Sequence, residues 1–396
     1  MYFFKLSIVY RPSSIVQNKF MNQKIGILGG GQLGKMLCLA AADWHLETYV
    51  LDKKGCSAEN YCAHFIEGDF RNYNDVLNFG RLCDVITIEI EHVNIDALKQ
   101  LEKEGKKVYP SANALNIIAD KGLQKIFYVK NKMPTSDFIF FNSKKLLIGY
   151  LEKENKFPCV WKSCRGGYDG KGVSILKSMQ SLKDLPDVAC IIEKLVDIEK
   201  EICVMAARNV SGEIVTYTPV EMVFDDKANL LDYQICPANI SRSQMLQAQK
   251  IAKKLIKKLN IVGLLAVEMF LTKSGEILIN ESAPRPHNSG HHTIEASMTS
   301  QYEQLLRCIL NLPPGDPKIK SPSVLWNILG AEGFSGEAKT VGFEEALKIS
   351  GAYFHFYGKK TTQPFRKMGH ATVLNKNIDK ALEDVFKLKN ILTVET

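Results

Sequence analysis

The sequence predicts a chain of mixed class: an α/β unit on a parallel sheet, then a mostly antiparallel α+β unit, then a small C-terminal unit. Three observations carry this expectation. From Lys24 onward, strand-like and helix-like segments alternate over about 100 residues, the pattern of a parallel sheet. Beyond Leu123, short strand runs outnumber helices. The stretch Asn311-Leu312-Pro313-Pro314-Gly315-Asp316-Pro317 is the clearest linker. The expected boundaries are an extension over 1–21 and units over 22–122, 123–312 and 313–396.

Each element has its own warrant. Residues 1–20 are apolar in patches but broken by Lys5, Arg11 and Pro12, and lack a small-residue cleavage site. They read as a start placed too early or a loose extension, with Met21 just before the first strand. Strands are predicted at 24–28, 48–52, 63–67, 85–89 and 107–109, with a helix over 35–42. The second unit shows strands at 160–163, 173–176, 190–195, 201–207, 214–220, 264–271 and 276–280. Between the runs at 214–220 and 264–271, Lys253, Lys254, Lys257 and Lys258 stand at helical spacing beside Ile251, Leu255, Ile256 and Leu259, a solvated face of an amphipathic helix rather than a nucleic-acid patch.

Composition excludes several classes. Hydrophobic residues are 45% and charged residues 24%, the balance of a globular chain. No apolar run approaches the roughly 20 residues a membrane helix needs; the run at 261–270 contains Glu268. The net charge of +8 is mild and suits small anionic substrates, not a nucleic acid or a membrane. Ten cysteines without a CxxC pair, and no secretory signal, read as reduced thiols of a cytoplasmic protein.

Four segments carry chemistry. Gly29, Gly31 and Gly34 fit GxGxxG between a strand and a helix, with Asp52 at the end of the next strand. Alone, the motif fits a dinucleotide, a phosphate-bearing substrate or tight packing. A second loop, Arg165-Gly166-Gly167-Tyr168-Asp169-Gly170-Lys171-Gly172, joins two strands, so it is not a Walker loop. It reads as a flap whose amides and cations close over a polyphosphate. Third, Glu268 interrupts an apolar strand and Glu281 ends the next. A two-residue turn at Ser274-Gly275 would pair Lys273 with Glu276 and, further along the ladder, Glu268 with Glu281. Facing carboxylates destabilise a sheet unless neutralised, and a magnesium ion shared with phosphate oxygens does so. Fourth, Glu281-Ser282-Ala283-Pro284-Arg285-Pro286-His287-Asn288-Ser289-Gly290-His291-His292 is a proline-fixed polar loop. Zinc on His287, His291 and His292 is a weak reading, and no GxSxG elbow points to a serine hydrolase.

In this combination the chain resembles the ATP-grasp enzymes, and among them the 5-(carboxyamino)imidazole ribonucleotide synthase family of purine biosynthesis. The matching segments are 27–34, the flap 166–172 and 280–291, and the resemblance runs from about Lys24 to Arg366-Lys367-Met368-Gly369-His370. It implies an ATP-grasp fold with a pre-ATP-grasp domain before it and a small domain after it. It also implies ATP and Mg2+, bicarbonate and aminoimidazole ribonucleotide as substrates, and a homodimer. By resemblance, Lys121 and Lys162 contact the ATP phosphates under the flap (Gly166, Gly167, Tyr168, Asp169, Gly170, Lys171 and Gly172). Glu193, Lys194, Leu195 and Val196 line the adenine, Glu201 takes the ribose, and Asn280 with Glu281 completes the site. Glu268 and Glu281 hold the metal. Arg285 suits the bicarbonate or carboxyphosphate anion, and Asp169 or His287 accepts the proton. The ribonucleotide falls to Gly31, Gln32, Leu33, Tyr168, Arg285, His287, Asn288 and Ser289, with Lys359 and Arg366 on its 5′-phosphate. The family usually has Arg-Pro-Gly-Arg-Lys where this chain has Gln363-Pro364-Phe365-Arg366-Lys367. Two alternatives stand beside this reading: a formate-dependent glycinamide ribonucleotide transformylase of the same fold, and an NAD-dependent oxidoreductase.

Overall fold

In the computed structural model, which describes residues 22–167, 172–225 and 230–396, the first described strand is the central one of a five-stranded parallel sheet. Lys24–Leu28 lies between Glu47–Asp52 and Val85–Ile88; His64–Glu67 and Lys107–Val108 form the edges. The central strands are near-continuous apolar runs because both sheet faces are covered. Helix Gln32–Ala42 starts three residues before the predicted position, directly off the glycine loop, with Gly31 as its N-cap.

A four-stranded antiparallel sheet follows, ordered Phe138–Phe141, Cys190–Lys194, Cys159–Ser163, Val173–Leu176. Its first strand, missing from the sequence expectation, is a short aromatic edge strand that is only partly buried, so it shows no core alternation.

The largest sheet has nine strands. Its path is Ile277–Ala283, Gly263–Thr272, Ile198–Arg208, Val220–Asp225, Leu230–Cys236, Ser323–Leu329, Lys367–Leu374 and Ala352–Phe356, with Ile214–Thr216 also on Ile198–Arg208. The single strand expected at 214–220 is therefore two, divided before Pro219, which has no N–H to give the ladder. Leu230–Cys236 pairs with Ser323–Leu329, so the sheet continues across the proline-rich segment at 311–317. That segment is a tied connector: Gly315 N–H donates to Gln304 Oε1 (3.0 Å), and a Cβ at Gly315 would meet the Thr299 side chain at 2.2 Å.

Helix Arg242–Lys258 covers one face of the large sheet with Ala248, Ile251, Ala252, Leu255 and Ile256, against Ile202, Val204, Leu265 and Val267. Its lysines 253, 254, 257 and 258 face outward, as the spacing predicts. The opposite face carries Glu201, Cys203 and Glu268. Among the described residues no helix is long and apolar enough to cross a membrane.

Where the large sheet meets the first unit, three imidazoles stack: His291 on His370 at 4.6 Å and His370 on His355 at 4.6 Å between centroids. Burial holds His291 and His370 well below the ordinary histidine pKa. Protons therefore bind these rings in the unfolded chain before they bind in the folded one, and stability falls as pH drops below about 6.5. His370→Asn removes one such group. Its urea-unfolding free energy relative to the parent should shift in the variant's favour as pH falls from 6 to 5, by at most about 1.4 kcal/mol per pH unit. A constant difference across that window would contradict the assignment.

Candidate active site

Three strands set the centre of the site in register. Cys203 on Ile198–Arg208 faces Glu268 on Gly263–Thr272, which faces Glu281 on Ile277–Ala283. The two glutamates are thus direct neighbours on one face, as expected, but the route differs. Thr272 N–H donates to Glu276 O (2.9 Å) and Gly275 N–H to Thr272 O (2.8 Å), with Gly275 at φ +87°. The turn holds three residues and Lys273 does not pair with Glu276, so near the turn the register is one residue off: Met269 faces Ile279. An irregularity at Asn280 restores the pairing of Glu268 with Glu281. Asn280 and Glu281 then both line the same cavity.

That cavity is walled by Lys121, Gln124, Lys125, Lys162, Glu193, Asn280 and Glu281. Lys121 and Lys125 lie one turn apart on helix Lys121–Lys130 and therefore share a face. Lys121 pairs with Glu281. Lys162 Nζ donates to Asn280 Oδ1 at 2.7 Å. Glu193, 3% exposed, sits between Lys125 Nζ (3.1 Å) and Lys162 Nζ (3.2 Å), and its other oxygen accepts from Ser136 Oγ (2.8 Å). Its side chain thus bridges the cations; Lys194, Leu195 and Val196 after it remain accessible along the strand connection. Burial, opposed by Glu193 and reinforced by Lys162, brings Lys125 down to about 8.

The carboxylates titrate apart. Burial, then the charges of Glu281 and Glu201, push Glu268 upward. Burial also acts on Glu281, but Lys121 overrides it and holds that carboxyl below the ordinary range. Glu201 shares their sheet face two residues from Cys203, and burial pushes it up to about 7 against the pull of Lys162. Glu268 and Glu281 offer hard oxygen donors from adjacent strands, the kind of set Mg2+ uses when substrate phosphates and water supply its remaining ligands. Among the described residues no group of three or more His, Cys, Asp or Glu is placed to hold a metal ion, so His287, His291 and His292 do not form a zinc site.

The flap is anchored where expected. Lys162 faces Val173 across its base, Ser163 N–H donates to Gly172 O (2.9 Å), and Gly166 takes φ +80°. Gly166 and Gly167 are at the strand exit, and Arg165 Nε donates to Asp120 Oδ2 (2.9 Å) at the cap of the Lys121 helix. Tyr168, Asp169, Gly170 and Lys171 lie outside the described residues.

The first glycine loop is already filled by the chain itself. The Glu89 carboxylate accepts from Gly31 N–H and Gly34 N–H, both at 2.9 Å, and a Cβ at Gly29 or Gly31 would meet Glu89 at 2.5 or 2.6 Å. Asp52 Oδ2 accepts from Gly30 N–H at 2.6 Å. A dinucleotide would need the helix N-terminus for its pyrophosphate and an acid such as Asp52 for its ribose; Glu89 and Gly30 occupy both, which corrects the oxidoreductase alternative. Gln32 and Leu33 open the helix beside this loop, and Lys35 one turn on donates to Phe356 O (2.9 Å). This brings the loop toward the C-terminal strands that precede Lys359 and Arg366. Lys359 Nζ donates to Lys367 O (2.7 Å), and Arg366 to Thr361 O (2.8 Å) and Oγ1 (2.7 Å).

The proline-fixed loop follows Glu281. Arg285 Nε is 2.8 Å from Glu91 Oε1, which ties it to the first unit. His287 Nε2 lies 3.6 Å from Glu268 Oε1, and its Nδ1 is 2.8 Å from Ser289 Oγ. Burial, then Arg285, lowers His287 to about 4, so the ring is neutral at neutral pH. Asn288 has both side-chain polar atoms buried and without a hydrogen-bond partner among the described residues, which leaves its amide able to meet a ligand or water. Ser289 is 0% exposed and its hydroxyl also donates to Cys203 Sγ (3.0 Å). It lies beneath His287, not on the cleft surface, which corrects its expected contact with substrate.

Sequence reasoning missed Lys125, Glu89 and Glu91. Lys125 was legible as the residue one turn after Lys121. Glu89 and Glu91 follow the C-terminal end of a parallel strand, where α/β sheets place ligands.

Three family models match successive parts of the chain: the ribonucleotide synthetase preATP-grasp domain at 21–119, the ATP-grasp domain at 126–302, and the phosphoribosylaminoimidazole carboxylase C-terminal domain at 323–384. The crystal structure of N5-carboxyaminoimidazole ribonucleotide synthetase from Thermotoga maritima is 42% identical with a TM-score of 0.87, covering 94% of this chain and 99% of that one. The chain belongs to the N5-carboxyaminoimidazole ribonucleotide synthase family of ATP-grasp ligases. Another member's structure, from Aspergillus clavatus in complex with ADP and 5-aminoimidazole ribonucleotide, is 32% identical with a TM-score of 0.83, covering 94% and 99%. The phosphoribosylaminoimidazole carboxylase of Vigna aconitifolia is 37% identical over 89% of this chain, and the chain spans 64% of that relative's length.

Against the usual family sequence, Phe365 stands at a glycine position, and the backbone shows why glycine is usual there. Arg366 N–H donates to Gln363 O (3.1 Å), Pro364 is the second turn residue, and Phe365 has φ +64°. This is a type II turn, whose third position favours glycine. Gly330 holds it on both sides: Phe365 N–H donates to Gly330 O (2.9 Å) and Gly330 N–H to Arg366 O (2.8 Å). A left-handed conformation costs a residue with a side chain about 1–2 kcal/mol, offset in part by glycine's extra entropy in the unfolded chain. Phe365→Gly should therefore leave stability unchanged or raise it by up to about 1 kcal/mol in urea unfolding. A loss of that size would show that Phe365 packing outweighs the strain.

Proposed function

We propose that this chain carboxylates the exocyclic amine of 5-aminoimidazole ribonucleotide at the expense of ATP, giving the N5-carboxyamino ribonucleotide, ADP and phosphate. The observation that carries this reading is the pairing of Glu268 with Glu281 on the sheet face beside Lys121, Lys125 and Lys162. An acid pair next to a cluster of cations is what a metal–triphosphate needs. The Aspergillus clavatus relative's complex with ADP and the ribonucleotide supports the substrate pair.

In this reading Lys121 leaves Glu281 for the phosphates, and Lys162 and Lys125, poised by Glu193, add charge where it accumulates on the transferring phosphoryl group. Glu268 and Glu281 would hold Mg2+, which neutralises phosphate oxygens when bound. Bicarbonate oxygen attacks the γ-phosphorus, ADP leaves, and the carboxyphosphate formed releases phosphate as its carbon joins the amine nitrogen. Arg285, steadied by Glu91, binds the anion. The amine's proton passes to His287 or Asp169. Asn288 offers its amide to the base or ribose, Gln32 and Leu33 border the ribonucleotide, and Lys359 and Arg366 hold its 5′-phosphate. A cytoplasmic homodimer completes the proposal, with light scattering as its check.

Phosphate release tests the function. It should require ATP, Mg2+, bicarbonate and aminoimidazole ribonucleotide together, and formate should not replace bicarbonate. Release that needs formate and glycinamide ribonucleotide, or no release at all, would overturn it.

A further inference from the structure

We infer that Gln301 is a positioning residue that fixes His287 for the reaction proposed above, on which this inference rests. Pro284 and Pro286 carry no N–H, so the loop leaving Ile277–Ala283 cannot keep its sheet pairing. His287 consequently reaches the site with a backbone N–H and C=O that no strand satisfies.

One side-chain amide reaches both, sharing the C=O with Gly290 N–H (2.9 Å). Gln301 Oε1 accepts from His287 N–H at 2.8 Å, and Gln301 Nε2 donates to His287 O at 2.9 Å. The same Nε2 lies 3.1 Å from His291 Nδ1. Gln301 is 0% exposed and opens helix Gln301–Ile309, where its own N–H donates to Thr293 Oγ1 (2.8 Å). The amide therefore stands where a paired strand would, on a fixed helix end. Gly290 makes room for it: a Cβ there would meet Gln301 Oε1 at 2.4 Å. The contact explains a glycine, two prolines and a buried glutamine with one geometry.

The functional consequence lies in the His287 ring. With its backbone gripped by Gln301 and Nδ1 by Ser289, Nε2 is aimed at the acid pair. Displacing a reacting group by about 1 Å costs on the order of 10²-fold in rate. Gln301 is not part of the cavity wall, and its amide meets His287 and His291; of these two, His287 is the one that faces the acid pair.

The test is a double-substitution cycle on the full chain. Gln301→Met should lower kcat for ribonucleotide-dependent phosphate release about tenfold or more, with KM for ATP within about twofold. In a His287→Ala background the same change should cost less than about twofold, because the group it positions is gone. Equal losses in both backgrounds, an unchanged kcat, an ATP KM that rises in parallel, or a fully active His287→Ala would each overturn the inference. If Gln301→Met does not fold, Gln301→Glu, which keeps an oxygen for the His287 N–H, is read through the same cycle. Activity of the unsubstituted chain separates the failures: none removes the proposed function itself, whereas full activity with an additive cycle removes only the role of Gln301.

Discussion

Glu268→Gln lowers the rate of ATP-driven carboxylation by about 10²- to 10³-fold and at the same time raises the melting temperature. The two effects share a cause. Glu268 faces Glu281 across the ladder and shares a face with Glu201, and burial with both neighbouring charges resists its ionisation. A neutral amide of the same shape removes the like-charge repulsion and leaves the Cys203 and Glu281 register intact. It also removes one of the two carboxylate donors available to a divalent ion, the one that Lys121 does not hold. Steady-state phosphate release and thermal unfolding, measured on one preparation, check both halves. A variant that loses stability along with activity would place Glu268 in the scaffold, not in the chemistry.

Glu193→Gln should cost about 3–5 kcal/mol of stability, because it removes the carboxylate that two buried cations share. Lys125 and Glu193 side chains are each 3% exposed, and Lys162 is 9%. Removing the carboxylate leaves two ammonium groups facing each other, and Lys125, already lowered by burial, would shed its proton first. ATP brings back negative charge at the same place. Saturating ATP should therefore raise the variant's melting temperature more than the parent's. A smaller shift would mean that the lysines do not meet the phosphates.

The parallel sheet, the flap hairpin and the amphipathic lysine helix were legible in the sequence because each rests on local periodicity or turn chemistry. The acid pair was legible for a less secure reason. The assumed two-residue turn is a three-residue turn, and the irregularity at Asn280 cancels the resulting offset, so two local departures leave Glu268 and Glu281 opposed. Without that irregularity, the alternation that buries Ile277 and Ile279 under the helix would have carried Glu281 to the same side, away from Glu268. The glycine loop misleads because its motif records close backbone approach, not the identity of the group that approaches; here that group is the chain's own Glu89. The continuity of the large sheet through 311–317 was not readable, since the pairing of Leu230–Cys236 with Ser323–Leu329 joins residues far apart in sequence. The same holds for Gln301 and His287, whose contact spans 14 positions across a turn of loop and helix.

Calorimetric titration of ADP, with and without Mg2+, tests the role of the acid pair most directly. The account predicts that Mg2+ tightens ADP binding at least about tenfold in the parent chain and has no such effect in Glu268→Gln or Glu281→Gln. Equal tightening in the parent and in both variants would contradict it.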